Sequence, residues 1–277
     1  MTPFSYHQIL LQVQDLNLVL GGNQILKNLN LTIHNIVRDR LNQGQVLSIL
    51  GNSGIGKSQL FRIIAGLNHP TSGRVVICER GSTQPVEVQV GRVGVVAQSY
   101  PLFENRTVWG NLLIAGRLAG LSTSGAEIKA SALLDRFQMF NKCDSYAAEL
   151  SGGQRQRVAI SQQLMRSPMF LLLDEPFSGL DPVMKDKACE LISEVAGMDE
   201  LMTIIVVTHD IGSAIQISDN LALMGRDRAG DGSVIPGAYI KESIDLAARG
   251  LAWRKDITFT QEFADCVKEV REKFNNL

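Results

Sequence analysis

Cysteine is scarce: four residues in 277, none in a C-x-x-C pair. That spacing excludes a disulfide framework and argues against a thiolate metal site, so Cys78, Cys143, Cys189 and Cys266 are expected as buried thiols of a reducing compartment. Long apolar runs are missing too. The longest, such as "FLLL" and "IIVV", fall far short of the ~18–20 residues that span a bilayer and suit buried strands instead. The start, "MTPFSYHQIL", has neither the basic nor the apolar stretch of a secretory signal. There is no excess of positive charge: 27 Lys and Arg face 28 Asp and Glu, net −1. A duplex-binding protein usually carries a basic footprint, so nucleic acid is not expected as a partner. Internal repeats and low-complexity segments are absent. What is left is a globular, cytoplasmic protein whose 45% hydrophobic content supplies a sizeable core.

What is present alternates between strand and helix patterns. "QVLSIL" (45–50) reads as a buried parallel strand. "KSQLFRIIAGL" follows as a helix with Leu60, Phe61, Ile63, Ile64 and Leu67 on one face. Short strand pieces come next, "RVVIC", "PVEVQV" and "VGVVAQ". Residues 101 to 167 are almost wholly helical in pattern, closed by Pro168; strands return at 169–174, 203–208 and 220–224. The pattern predicts an α/β core with a helical subdomain inserted into it.

"GNSGIGKS" (51–58) fits G-x-x-x-x-G-K-[ST] between a predicted strand and a predicted helix, where a phosphate cradle belongs. Gly51, Gly54 and Gly56 let the backbone curl its N–H groups inward, Lys57 brings a point charge to the phosphates, and the Ser58 hydroxyl suits Mg²⁺. Alone, this motif means only that a nucleoside triphosphate binds. "MFLLLDEPFSGLD" narrows the choice: Asp174 and Glu175 end a buried strand at the edge where parallel sheets bind ligands. Asp174 suits the Mg²⁺ shell, and Glu175 would orient or deprotonate an attacking water. Gln98 and His209 are read as ending two further strands and facing the same crevice: Gln98 toward Mg²⁺ or the water, His209 toward the γ-phosphate. Elsewhere a lone histidine is usually structural, and His7, His34 and His69 are read so. Asp181 before Pro182 reads as a helix N-cap.

A second cradle is the unexpected feature. In "ELSGGQRQRVAI" (149–160), Ser151 is a good N-cap, and Gly152 and Gly153 bare N–H groups at the positive end of a helix. A second small ligand would call for another lysine or a metal-binding acid beside it, and neither is evident; the alternative is that it grips the same nucleotide from another chain.

With these motifs in hand, the sequence resembles the ATP-binding cassette (ABC) ATPases over about residues 10 to 225. "GNSGIGKS" resembles their Walker A loop, "LSGGQ" their signature, "FLLLDE" their Walker B and "SGLD" (178–181) their D-loop. Gln98 matches the Q-loop glutamine and His209 the switch histidine. The resemblance implies a P-loop NTPase (RecA-like) core, an inserted all-helical signature subdomain and an N-terminal antiparallel β subdomain. The cassette would span 8–240, its core about 8–100 and 168–240, its helical subdomain about 101–167, with a helical tail over 241–277. Nucleotide contacts are implied for Gly51, Asn52, Ser53, Gly54, Ile55, Gly56, Lys57, Ser58 and Gln59. From a partner cassette they are implied for the second cradle, Ser151, Gly152, Gly153 and Gln154; Leu20 and Asp181 are also counted among the nucleotide contacts. Glu175, His209 and Gln98 would be catalytic; Ser58, Gln98 and Asp174 would hold Mg²⁺. In this family two cassettes pair head to tail, and each ATP lies between one Walker A loop and the other's signature.

Two departures stand out. Leu20 occupies the position where the family usually stacks an aromatic ring on adenine. "IHNIVRDRLNQGQ" is longer than the usual turn before the Walker A strand. With Ile33, Ile36, Val37 and Leu41 at near-helical spacing, it is expected as a surface excursion.

A cassette of this kind drives something else. The wording "SYPLFENRTVWGNL" and "VTHDIGSAIQISD" is most similar to bacterial importer cassettes of the nitrate, sulfonate and taurine type. That implies integral membrane permease subunits, a second copy or related cassette, a substrate-binding protein, and a place on the inner face of the membrane. The large β-rich regulatory domain of maltose-type importers is not expected here. Phe263, Val267, Val270 and Phe274 at 4-3-4 spacing predict a helix docked on the core. A non-transport ABC ATPase, such as one in iron–sulfur assembly, and an export cassette are the alternatives. A P-loop kinase does not account for the signature.

Overall fold

Residues 4–39, 43–82, 84–275 and 277 are described by the computed structural model. The chain opens with a long hairpin, β1 (Phe4–Leu20) against β2 (Asn23–Arg38), turning at Gly21 and Gly22, both at positive φ (55° and 81°). β4 (Ser72–Cys78) and β5 (Pro85–Glu87) complete an antiparallel sheet in the order β2-β1-β4-β5. The expected excursion is therefore corrected: residues 33–38 continue β2 and pair with the start of β1. Their near-helical spacing gives way to a paired strand whose alternation shifts once: Ile33 and Asn35 are buried, then, across an irregularity in the register with β1, Ile36 and Arg38, while Val37 is exposed. Leu41 lies outside the described residues.

The second sheet has six strands, ordered β10-β9-β3-β8-β7-β6. Five run parallel: β3 (Gln45–Leu50), β6 (Gly94–Val96), β7 (Phe170–Asp174), β8 (Thr203–Thr208) and β9 (Asn220–Gly225). β10 (Tyr239–Asp245) adds antiparallel to β9, so the segment expected as a helical tail from 241 begins as a strand of this sheet. Every residue of β3 and β8 is buried, as expected of parallel strands covered on both faces.

Strand alternation divides the core. Phe170, Leu172, Ile205 and Val207 face the first sheet and α1 (Lys57–Ile64). Leu171, Leu173, Ile204 and Val206 face α2 (Val108–Leu118), α3 (Thr123–Arg136), α4 (Gly152–Leu164) and α5 (Pro182–Ala196). At ~1.5–3 kcal/mol for each fully buried large aliphatic side chain, this pattern fixes the register of the sheet. Leu67, expected on the buried face of the first helix, lies beyond it and is exposed.

The third cluster seats α6 (Ile211–Ile217) and α7 (Gln261–Phe274) beside β9 and β10. Val270 is fully buried there, with Phe263, Val267 and Phe274 packed around it. Cys189 and Cys266 are buried, but Cys78 and Cys143 are only half-buried, which corrects the expectation of four buried thiols. Among the described residues no helix is long and apolar enough to cross a membrane.

Candidate functional site

Parallel strands point their C-terminal ends to one edge, and that edge carries the site. β3 leads into the 51–56 loop and α1. Gly54 and Gly56 sit at φ 75° and 115°, a backbone curl open to glycine at little cost. A Cβ on Gly56 would come within 3.1 Å of Ile25 and Leu26, so β2 closes the loop from behind. Among the described residues the N–H groups of Gly54, Gly56, Lys57 and Ser58 meet no protein acceptor. They remain a cluster of donors at a helix start. Lys57 is buried; its ammonium donates to the carbonyls of Gly51 (2.7 Å) and Asn52 (3.1 Å) and lies 3.7 Å from Glu175 Oε1. Burial pushes that ammonium below its ordinary range, against the pull of Glu175 and Asp174. Asn52, Ser53 and Ser58 are exposed, Ile55 is buried, and Gln59 accepts from Asn68.

Although the P-loop strand and the acid-bearing strand are separated by β8, Lys57 and Glu175 still meet. Asp174 closes β7. Its Oδ1 is buried without a hydrogen-bond partner, and burial, together with the Glu175 carboxylate, pushes its pKa up. Glu175 leaves the strand at φ 47°, left-handed for a non-glycine residue. Such a conformation costs about 1–3 kcal/mol and persists where surroundings over-determine it. Here its N–H donates to Val207 O at 2.8 Å. Its Oε2 accepts from Thr208 Oγ1 (3.1 Å), His209 Nδ1 (2.9 Å) and the His209 N–H (3.4 Å). With a carboxylate as acceptor, the His209 ring carries its proton on Nδ1 and leaves Nε2 to solvent.

Gln98 lies two residues past β6, so it does not end the strand as expected; its Nε2 donates to Ser178 Oγ at 3.2 Å. Asp181 caps α5, accepting from Met184 N–H at 3.0 Å, with Pro182 in the first turn. Leu20 sits exposed at the tip of the first hairpin. His7, His34 and His69 are surface residues.

The second cradle stands apart. Ser151 and Gln154 form a capping box: Ser151 Oγ accepts from Gln154 N–H, and Gln154 Oε1 accepts from Ser151 N–H at 2.9 Å. A Cβ on Gly152 would meet nothing within 4 Å. Among the described residues no hydrogen bond or ion pair joins 150–154 to 51–59. One chain therefore brings together Lys57, Asp174, Glu175 and His209, and leaves its signature pointing outward.

Three further polar residues complete this edge. Thr208 and Asp210 flank His209, and Lys185 of α5 is ion-paired with Asp210. Burial raises the Asp210 pKa, but Lys185 and the Ser213 N–H outweigh it and leave it low. Position alone signals Thr208, a hydroxyl at the strand end beside a candidate histidine. Nothing local signals Lys185, whose partner is 25 residues away.

The residues also bear on a divalent cation. Among the described residues no three His, Cys, Asp or Glu side chains are grouped to hold one. The expected donors are instead a hydroxyl, an amide and one carboxylate, all oxygens, as a hard cation that keeps its waters requires. The unpartnered buried Oδ1 of Asp174 fits that role.

A phosphate-binding loop after the first parallel strand, with an acid-bearing strand one position removed, defines a P-loop NTPase. The ABC transporter family model matches residues 34–178. The chain belongs to the ABC transporter family, as an ATP-binding cassette. A sulfate/thiosulfate import ATP-binding protein, CysA of Mesostigma viride, is 32% identical over 253 residues, 91% of this chain and 70% of that protein. The methionine import protein MetN 1 of Rhodopseudomonas palustris is 37% identical over 66% of this chain, and the arginine transport protein ArtM of Bacillus subtilis 33% over 78%. The chain spans between half and 70% of the length of the CysA and MetN relatives it matches, and 87% of ArtM. Among solved structures, cbiO1 of Clostridium perfringens, part of the ABC transporter complex cbiONQ, superposes with a TM-score of 0.71 at 28% identity, covering 97% of this chain and 95% of that one. The dimeric cassette MJ0796 bound to ADP and Pi shares the fold, with a TM-score of 0.63 at 24% identity over 85% of this chain and 98% of that one.

Proposed function

We propose that this chain binds and hydrolyses ATP as the nucleotide-binding subunit of an ABC importer, two cassettes pairing head to tail around two ATP molecules. One observation carries the reading: the Walker A loop and its acids share one sheet edge, while the signature start faces solvent and, among the described residues, makes no hydrogen bond or ion pair to them. The 51–58 loop would cradle the phosphates, with Lys57 turning from the Gly51 and Asn52 carbonyls toward the β/γ oxygens. Ser151, Gly152, Gly153 and Gln154 would contact the γ-phosphate in the partner's site, and Asp181 would stand at the same junction. Glu175 would accept the proton of the attacking water; the exposed His209 ring would turn its N–H from Glu175 to donate to the γ-phosphate. Mg²⁺, when bound, offsets phosphate charge, and Ser58, Gln98 and Asp174 would hold it. Leu20 would pack on adenine by apolar contact alone.

Import is supported by the relatives, named for sulfate or thiosulfate, methionine and arginine import. A small-anion cargo of the nitrate, sulfonate or taurine type is the narrower reading; it rests on sequence wording, beside the sulfate relatives. Partners would be permease subunits, a second cassette and a substrate-binding protein, with the chain on the inner face of the membrane. The domain reading stands with it: a cassette over about 8–240, its helical subdomain over about 101–167.

The test is light scattering after size exclusion on Glu175→Gln, with and without ATP and Mg²⁺. The expected result is an ATP-dependent shift from monomer to dimer with turnover nearly lost. Rapid hydrolysis by this variant would overturn the assignment of Glu175.

A further inference from the structure

We propose that Thr208, Asp210 and Lys185 form a strut that positions the Glu175 carboxylate and leaves Oε1 as the oxygen that takes the water's proton. The inference rests on the reading of Glu175 as general base. A carboxylate at the end of a strand, on a freely rotating side chain, has no fixed direction; a general base needs one, because its reach to the water must hold within a fraction of an ångström.

Three donors converge on a single oxygen, Oε2: the Thr208 hydroxyl, the His209 ring and the His209 N–H. Oε1 makes none of these bonds and faces Lys57 Nζ at 3.7 Å, beyond hydrogen-bond distance. The two oxygens are thus unequal: one is tethered, and the other stays an acceptor on the side of the phosphate loop.

Of the tethers, Thr208 is the one held from both sides. Its hydroxyl accepts from the Asp210 N–H at 3.1 Å, so its single proton is left for Glu175. Asp210 is in turn fully engaged. Oδ1 accepts from the Ser213 N–H (2.9 Å) at the start of α6, and Oδ2 holds the Lys185 ammonium. Lys185 belongs to the first turn of α5, where its N–H bonds to Asp181 O at 2.9 Å. A continuous polar chain therefore runs from the capped start of α5, through Lys185, Asp210 and Thr208, to the carboxylate. His209 is bonded to Glu175 but is 59% exposed at its side chain, so it is the mobile tether and Thr208, buried in β8, the fixed one. None of the three touches the reacting atoms; they are positioning residues.

The test is steady-state hydrolysis and nucleotide binding by the full chain. Thr208→Val keeps the β-branched shape and removes the hydroxyl. It should lower kcat by about 10- to 100-fold, the scale of a misplaced reacting group, with KM and ATP affinity within about 2-fold of the parent. Thr208→Ser should restore kcat. In a Glu175→Gln background Thr208→Val should change nothing further, because the group it positions is gone. Lys185→Met, at a half-exposed site, should lower kcat by a smaller factor, and Lys185→Arg should recover it. Unchanged kcat in Thr208→Val, or the same loss in the Glu175→Gln background, would overturn the strut. If Thr208→Val does not fold, full kcat in Lys185→Met overturns it instead. Failure of the general-base reading looks different: Glu175→Gln itself would then turn over at the parent's rate.

Discussion

Lys57 concentrates the chemistry of the phosphate loop in one side chain. It is buried, its ammonium spans the Gly51 and Asn52 carbonyls, and Glu175 Oε1 lies 3.7 Å away. Hydrogen bonds to a charged group are worth about 1.5–3 kcal/mol, so Lys57→Ala should weaken ATP binding about 10- to 100-fold. Titration with a fluorescent ATP analogue measures it, and unchanged affinity would count against the loop as the nucleotide cradle. At this scale most of the chemistry is legible in sequence, because residue type and spacing along a short loop suffice to name Lys57, Asp174, Glu175 and His209. The orientation of Glu175 is not. Alternation along β7 assigns the two acids to opposite faces, yet Glu175 turns at φ 47° and is held by Val207, Thr208 and His209, more than thirty residues later.

Among the elements, α4 shows how far a local motif carries. Ser151 and Gln154 cap each other, and this box explains the helix start completely from within the chain. It does not explain why the same turn is exposed and glycine-rich, with Gly152 facing open space. On the head-to-tail pairing proposed above, a partner's nucleotide would supply the reason. Ser151→Arg should leave ATP affinity of the monomer within about 2-fold and abolish the ATP-dependent dimer, at about 1 kcal/mol of lost capping. Calorimetric titration and light scattering on one preparation read both quantities. Normal hydrolysis by a strictly monomeric Ser151→Arg protein would end the shared-site account. The β1–β2 hairpin teaches the opposite lesson. Helical spacing in residues 33–41 is overridden in residues 33–38 by pairing with β1, at the cost of one irregularity in the register.

For the whole molecule, the far end of the hairpin, the central sheet and the C-terminal segment meet at Asp219. Its carboxylate is fully buried, paired with Arg38 and accepting from Val46 N–H (2.8 Å) and Trp253 Nε1 (2.8 Å); its carbonyl accepts from Leu246 N–H at 2.8 Å. The Arg38 guanidinium also lies 5.8 Å over the Trp253 ring. Burial pushes the Asp219 carboxyl up from 3.8 to about 6, against the pull of these partners. The folded protein then keeps this proton between about pH 4 and pH 6 while the unfolded chain releases it, so the Asp219 contribution to stability declines as pH rises through that window and is level above it. Above about pH 6, where the parent's Asp219 is ionised, Asp219→Asn leaves Arg38 buried without its counter-charge and should be the less stable protein. Urea unfolding of both proteins should show the gap between them narrowing from about pH 4 to pH 6. A gap that widens over that range would refute the raised pKa.

The sequence by itself determined what depends on neighbours in the chain: the phosphate loop from its glycines and Lys-Ser pair, the buried strands from their apolar runs, the start of α4 from its cap, and through them the family. Only the tertiary structure decided what depends on pairs far apart in sequence. It made the 33–38 stretch a strand, tied Arg38 to Asp219 across 181 positions, and aimed Glu175 through Thr208. The physical reason is the same in each case. Spacing fixes which backbone a segment prefers, but a hydrogen bond or ion pair between distant residues exists only after the sheets have packed and closed the distance.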